Sequence, residues 1–221
     1  MNIDTHYINQ IEVIINIFTV IDGKIKILLF RRDEEPFKGY WMLPSNLLMT
    51  TETIEDCAND TIYEFSGYKN LVLFSSNVES KIDRLPNDRI VANSLIAVLD
   101  NERVNFKREK RKITSEWFDI DSIPKTIFDH NEIIQKAIKN LKNKIKRNEI
   151  VDIFFPSDFT LPELQSIYEQ AFDKKLDRRN FRKKMINLHL VEDTGYKNTG
   201  GNGRPPKLYR FTENIQNILN L

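Results

Sequence analysis

Charge is segregated along this chain, and no other feature limits its architecture as much. Between Lys174 and Arg210 stand eleven Lys/Arg against three Asp/Glu, while the whole sequence nets only +1. The rest of the chain is therefore acidic. Four of the seven glycines, Gly195, Gly200, Gly201 and Gly203, crowd into the same basic stretch. A single evenly solvated core does not divide this way, so two regions with different tasks are expected. At 221 residues the chain has room for one domain of ordinary size and a small companion. Hydrophobic residues at 40% and charged residues at 29% supply a core and exclude a disordered chain.

Several function classes fall away early. The longest apolar run, around Val13 to Val20, is broken by Asn16 and Thr19 and is too short to span a bilayer. The opening MNIDTHYINQ lacks the basic start and small-residue cleavage site of a signal peptide. A soluble cytoplasmic protein with no membrane partner is the expectation. Cys57 stands alone, which excludes an intrachain disulfide and a cysteine-based metal cluster. His6, His130 and His189 are too scattered to form a metal site, and no cofactor is expected.

The larger region reads as α/β (α+β). Ile11 to Val20 and Lys24 to Phe30 are β-rich runs joined by Asp22-Gly23, a hairpin signal. A loop over Glu34 to Gly39 precedes an extended Trp41 to Met49. Ile54, Ala58, Ile62 and Phe65 recur at helical spacing, and Gly67 stops that helix. Strands are predicted near Leu71 to Phe74, Ile90 to Leu99 and Lys112 to Phe118, with a turn at Pro86-Asn87-Asp88. A helix follows over Asn131 to Lys146. Its basic stretch, Lys136 to Arg147, reads either as a solvated helix face or as a contact for DNA or a partner. Glu149 to Thr160 reads as a short connector, placing the boundary so that 1–148 and 149–221 form the two domains.

The smaller region carries the sharper pattern. Thr160-Leu-Pro-Glu163 is a capping box opening a helix through Leu164, Ile167 and Ala171. After a turn, Asp177 caps a second helix with Phe181, Met185 and Leu188 on one face. Arg178, Arg179, Asn180, Arg182, Lys183 and Lys184 occupy the other. Two short strands, Val191 to Thr194 and Lys207 to Phe211, then flank the glycine-rich tip. Helix, turn, basic helix and basic hairpin in that order describe a winged helix-turn-helix. On such a helix the first residues reach base edges, so Arg178, Arg179, Asn180 and Arg182 are placed for bases, Lys183 and Lys184 for phosphates. In the wing, Lys197, Arg204 and Lys207 are candidates to grip the backbone or enter the minor groove.

The first region also carries a weakened motif. Trp41-Met-Leu-Pro44 through Gly67-Tyr68 resembles the Nudix box, G-x5-E-x7-R-E-U-x-E-E-x-G-U. Asn46 stands at its first glycine and Glu52 at its first glutamate. Asp60 and Thr61 replace the Arg-Glu pair, and Phe65 replaces one of the last two glutamates while Glu64 remains. Together with Arg31-Arg32, Glu35 to Trp41, Trp117-Phe118, Phe128-Asp-His130 and Asp177-Arg-Arg-Asn-Phe-Arg-Lys183, this order resembles the Nudix-related transcriptional regulators across nearly the whole chain. That family includes repressors of NAD metabolism and of sugar use.

The resemblance implies a Nudix-fold sandwich that senses a small molecule, followed by a winged helix that binds a palindromic double-stranded operator as a homodimer. Nudix enzymes hold divalent metal on helical glutamates. With Thr61 and Phe65 at two of those positions, no metal and no catalytic residue are expected, and Glu52 and Glu64 are vestigial. The retained cleft implies a sugar, a sugar phosphate or an ADP-ribose-like effector. Arg31, Arg32, Arg84 and Arg89 are the candidate anion contacts by residue type. Trp41 and Trp117 read as core or as cleft lining. Two other readings stay open: a working magnesium-dependent Nudix hydrolase, and a DNA-binding protein whose Nudix domain only dimerises.

Overall fold

A computed structural model of the protein describes residues 10–86, 88–105, 114–198 and 205–217. The chain runs β1 (Ile11–Ile21), β2 (Lys24–Arg31), β3 (Trp41–Met42), β4 (Ser45–Leu47), α1 (Ile54–Ser66), β5 (Val72–Glu79), β6 (Val91–Val98) and β7 (Ser115–Asp119). It continues through α2 (His130–Lys146), α3 (Val151–Phe154), β8 (Phe159–Thr160), α4 (Leu161–Phe172), α5 (Arg178–Asn187), β9 (Val191–Lys197) and β10 (Lys207–Phe211). This is a mixed α/β fold. By contacts it forms two compact units. One gathers the described residues of Met1–Phe18, Ile27–Ala97 and Lys107–Ile138, the other those of Thr19–Lys26, Val98–Phe106 and Lys139–Leu221.

Among the described residues the main sheet has strand order β3-β2-β1-β6-β5, with β4 also pairing β1 and β7 pairing β2. Asp22 and Gly23 both take positive φ (51° and 70°), the backbone that a two-residue hairpin turn requires at both positions. Every residue from Val13 to Val20 is buried, so β1 is an interior strand rather than a half-solvated one. The polar interruption at Asn16 is accommodated because its amide donates to Ser94 Oγ and to the Leu95 carbonyl, both at 3.0 Å. Among the described residues the other end of that amide, Asn16 Oδ1, and Thr19 Oγ1 are buried without a hydrogen-bond partner, a cost that the two donated bonds offset only in part.

Helix α1 begins where its sequence says it should. Thr53 accepts from the Asp56 amide, and the Asp56 carboxylate answers the Thr53 amide, a complete capping box. Gly67, at φ 77°, ends the helix and returns its N–H to the Tyr63 carbonyl. Cys57, Ala58, Thr61 and Ile62 face inward. Burial pushes the Cys57 thiol up to about 11, so it is core rather than nucleophile. In α2, Ile134, Ala137, Ile138, Leu141 and Ile145 are buried. Lys136 pairs with Glu79, Lys142 with Asp173 and Lys144 with Glu149, which occupies much of the basic run.

The second unit contains more structure than its sequence suggested. The expected connector instead holds α3 and β8. Phe154, Phe155 and Phe159 are core residues, with rings of Phe159 and Phe211 4.4 Å apart. A four-residue helix and a two-residue strand are too short to leave a periodic signal. Strands order as β8-β10-β9. The hairpin turn also belongs to this unit. The Gly23 carbonyl accepts from Ser166 Oγ (2.7 Å) and Gln170 Nε2 (2.8 Å), while the Ile25 amide donates to Gln170 Oε1 (2.9 Å). Among the described residues no helix is long and apolar enough to cross a membrane.

Candidate nucleic-acid interface and ligand cleft

Helices α4 and α5 close on Tyr168, which is fully buried, lies 5.7 Å from the Phe181 ring and donates its hydroxyl to Asn148 Oδ1. Thr160 and Glu163 form the predicted capping box of α4. Asp173, with φ 52°, ends α4 in place of a glycine. One carboxylate then organises the turn. Glu169 accepts from the Leu176 amide (3.0 Å), from Gln165 (2.9 Å) and from Lys175 (2.8 Å). Those donors, Lys175 first, hold its carboxyl down at about 2.

Asp177 caps α5 by accepting from the Asn180 amide at 2.8 Å. Phe181 and Met185 turn inward, and Arg178, Arg179, Asn180, Arg182, Lys183 and Lys184 all face solvent. Arg178, Arg179, Lys183 and Lys184 make no ion pair among the described residues. The placement is electrostatically uphill. A helix N-terminus carries partial positive charge and favours anions, yet this first turn holds arginines and no acidic residue beyond the cap. Such a surface attracts external anions, regularly spaced phosphates among them.

In the wing Lys197 lies directly across from Lys207 in the β9–β10 ladder, a like-charged pair. Asp193 supplies a counter-charge from within the chain, engaging Lys207 at 2.5 Å. The register shifts between Lys207 and Tyr209, where Gly195 takes φ 80° and its amide donates to Asp193. Arg204 and the Gly200 to Gly203 tip lie outside the described residues.

A cavity of about 1020 Å³ opens in the first unit. Of the four candidate arginines only Arg32 lines it. Arg31 packs over the Trp41 ring, 4.6 Å from its centroid. Successive residues of an extended chain point to opposite sides, and adjacency in sequence hid that separation. Arg84 is buried in a bidentate pair with Asp129 (3.0 and 3.2 Å) and donates to Glu12 at 2.9 Å, which occupies its guanidinium. Arg89 is exposed and donates to the Lys81 carbonyl. Neither tryptophan lines the cavity; Trp41 packs against Phe118, 4.9 Å between ring centroids.

Sequence reasoning missed Phe37, Phe128 and His130 as lining residues. His130 is wholly buried and neutral: its Nδ1 accepts from the Leu43 amide at 3.0 Å, and burial lowers its pKa to about 4. The run Phe128-Asp-His130 was visible in the sequence, but nothing in its spacing distinguished packing from lining.

The Nudix fold implies a divalent metal beside α1, and the residues present do not fit one. Asn46 Nδ2 donates to Glu64 Oε2 (3.0 Å) and to Thr61 Oγ1 (3.1 Å). An amide NH₂ therefore occupies the approach to Glu64 that a cation needs, although Glu52 and Asp60 line the same small cavity. Phe65 turns its ring edge-on to Phe30 at 5.4 Å and offers no oxygen. Glu52 accepts from the Met49 amide at 2.7 Å. Among the described residues no group of three His, Cys, Asp or Glu side chains converges on a metal-sized site.

Comparison with known proteins places these features in context. Residues 154–211 match the NrtR DNA-binding winged helix domain family. An ADPR-responsive transcriptional repressor of Acinetobacter baylyi is 32% identical over 203 residues, covering 88% of this chain and 79% of its own. An ADP-ribose pyrophosphatase of Methanocaldococcus jannaschii is 33% identical over 120 residues, 54% of this chain and 70% of its own. In fold, the chain is similar to Shewanella oneidensis NrtR crystallised with a 27mer DNA. The TM-score is 0.76 at 24% identity, covering 96% of this chain and 99% of that one.

Proposed function

The chain belongs to the NrtR family of Nudix-related transcriptional repressors, and we propose that it binds a DNA operator through α5 and the wing while its Nudix unit binds a phosphorylated effector without cleaving it. The cationic first turn of α5 carries this reading: without an anion against it, that arrangement opposes the helix dipole. Arg178, Arg179, Asn180 and Arg182 are assigned to base edges, and Lys183, Lys184, Lys197, Lys207 and Arg204 to the DNA backbone. The operator is palindromic and read by a homodimer in the cytoplasm. Functionally the chain divides at 148/149, with the effector domain first.

ADP-ribose is the first effector to test, because the repressor from Acinetobacter baylyi is described as responsive to it. Arg32 is the anion contact. Asn46, Thr61 and Phe65 remove the metal chemistry, so binding is expected without divalent ions and without turnover. The similarity to an ADP-ribose pyrophosphatase favours the opposing hydrolase reading. Incubation with ADP-ribose and Mg²⁺ separates the two. Unchanged ligand that raises the melting temperature supports the sensor, and release of AMP and ribose 5-phosphate supports the hydrolase.

A further inference from the structure

We infer that the turn of the β1–β2 hairpin is the handle by which effector binding reaches the DNA-binding helices, and that Gln170 and Ser166 of α4 are the positioning residues that hold it. This rests on the reading that the chain binds both an operator and an effector. Glu12, near the start of β1, and Arg32, the residue after β2, both line the 1020 Å³ cavity at the open end of the hairpin. The chain then leaves the first unit after Phe18, turns at Asp22-Gly23, and returns to it at Ile27. The eight residues of β2 span roughly 25 Å between those ends. Val13 to Val20 are all buried, as are Ile25 and Ile27 to Phe30. Strands packed so closely do not absorb a displacement by bending, so a shift at the open end arrives at the turn.

At the turn, the contact with α4 has the form of a strand pairing. Gln170 Nε2 donates to the Gly23 carbonyl at 2.8 Å, while its Oε1 accepts from the Ile25 amide at 2.9 Å. One side-chain amide thus offers the donor and the acceptor that a neighbouring strand's peptides would offer. Ser166 Oγ donates to the same carbonyl at 2.7 Å. Ser166 and Gln170 stand one helical turn apart, and Gln170 Nε2 also donates to the Ser166 carbonyl at 3.0 Å. The two side chains therefore act on the turn as a unit.

From α4 the path to DNA is short. Leu164, Ile167, Tyr168 and Ala171 are its buried face, and the Tyr168 ring lies 5.7 Å from Phe181 of α5. Phe181 sits between Asn180 and Arg182, so a displacement of α4 is passed to the residues assigned to base edges. Packing is looser beside the turn, where Asp22, Gly23, Phe155, Pro162 and Ser166 border a cavity of about 330 Å³. That room lets the three bonds to the turn be made or broken without repacking the core, which gives the coupling two arrangements to choose between.

The test belongs on α4, because Gly23, at φ 70°, accepts no side chain without strain. Fluorescence anisotropy of the full chain on an operator duplex recovered by genomic capture, with and without ADP-ribose, reads the coupling directly. In the wild type ADP-ribose should weaken operator binding about tenfold or more, within the ordinary range of allosteric coupling. Gln170→Met matches the length of the side chain but offers no N–H, and should bring that ratio close to one. Its operator affinity without ADP-ribose should stay near that of the wild type, and calorimetry should show ADP-ribose binding unchanged. Ser166→Ala removes one donor, should lower the ratio by an intermediate amount, and decides the matter if Gln170→Met unfolds. A wild-type ratio in the folded variants overturns the inference. So does loss of operator binding by Gln170→Met in the absence of ligand, which makes the contact part of the fold and nothing more. A wild type indifferent to ADP-ribose overturns the effector reading itself, and the coupling with it.

Discussion

His130 is wholly buried, and its neutral ring accepts the Leu43 amide. Its pKa is lowered from 6.5 in the unfolded chain to about 4 in the fold, chiefly by burial. The folded state therefore resists protonation, and this stability is complete above pH 6.5 and drains as pH falls toward 4. A shift of that size corresponds to about 3 kcal/mol. Urea unfolding across that range should show the loss, and His130→Gln, which keeps an acceptor but does not titrate, should flatten it. An equally steep slope in the variant would assign the acid sensitivity elsewhere. Residue identity in the sequence rarely revealed such roles. Arg84 was a plausible anion contact by type, and only the carboxylates of Glu12 and Asp129, distant in sequence, made it structural. Asn46 was legible as a lost glycine but not as the amide that engages Glu64.

At the scale of elements, legibility followed capping. Thr160 and Asp177 each cap the helix the sequence assigned to them, because a cap is a local interaction written within four residues; the equally complete box of Thr53 and Asp56 was there to be read and was not. What the sequence left unread is non-local or very short: α3, β8, and the grip of Ser166 and Gln170 on the Gly23 carbonyl across more than 140 positions. The turn between α4 and α5 depends on Glu169, whose pKa is lowered from 4.5 to about 2. Its contribution is present above pH 4.5 and is lost as pH falls through 2. Glu169→Ala leaves the Leu176 amide without its acceptor and should cost roughly 1–3 kcal/mol in chemical denaturation. It should also weaken DNA binding by misplacing α5. Full stability in that variant would show that packing on Tyr168 alone sets the turn.

The same element-scale argument separates two kinds of cation on α5. Arg179→Ala or Arg182→Ala should lose roughly 1–3 kcal/mol of operator affinity and relax preference at one base pair. Lys183→Ala should instead weaken binding to every sequence and reduce the salt slope by about one counterion. Fluorescence anisotropy with matched and scrambled duplexes reads both. If Arg179→Ala and Arg182→Ala each left the matched-to-scrambled ratio unchanged, α5 would not be the recognition helix.

Across the whole molecule, a neutral total charge conceals two surfaces of opposite charge. Helix α5 carries cations and no acid in its first turn beyond the cap, and the cleft sets Glu12, Asp33, Glu34, Glu64 and Asp88 around Arg32. A repressor built this way responds to a metabolite when the DNA-competent and incompetent forms bind it with different affinity. Most of this division was legible from charge segregation alone, while the character of the cleft emerged only from the folded chain. Capture of genomic DNA fragments by the purified protein, at about 150 mM salt with and without ADP-ribose, tests the central claim most directly. A few palindromic sites should be enriched without ADP-ribose and lost when it is added. Uniform recovery across the genome, indifferent to the ligand, would contradict it.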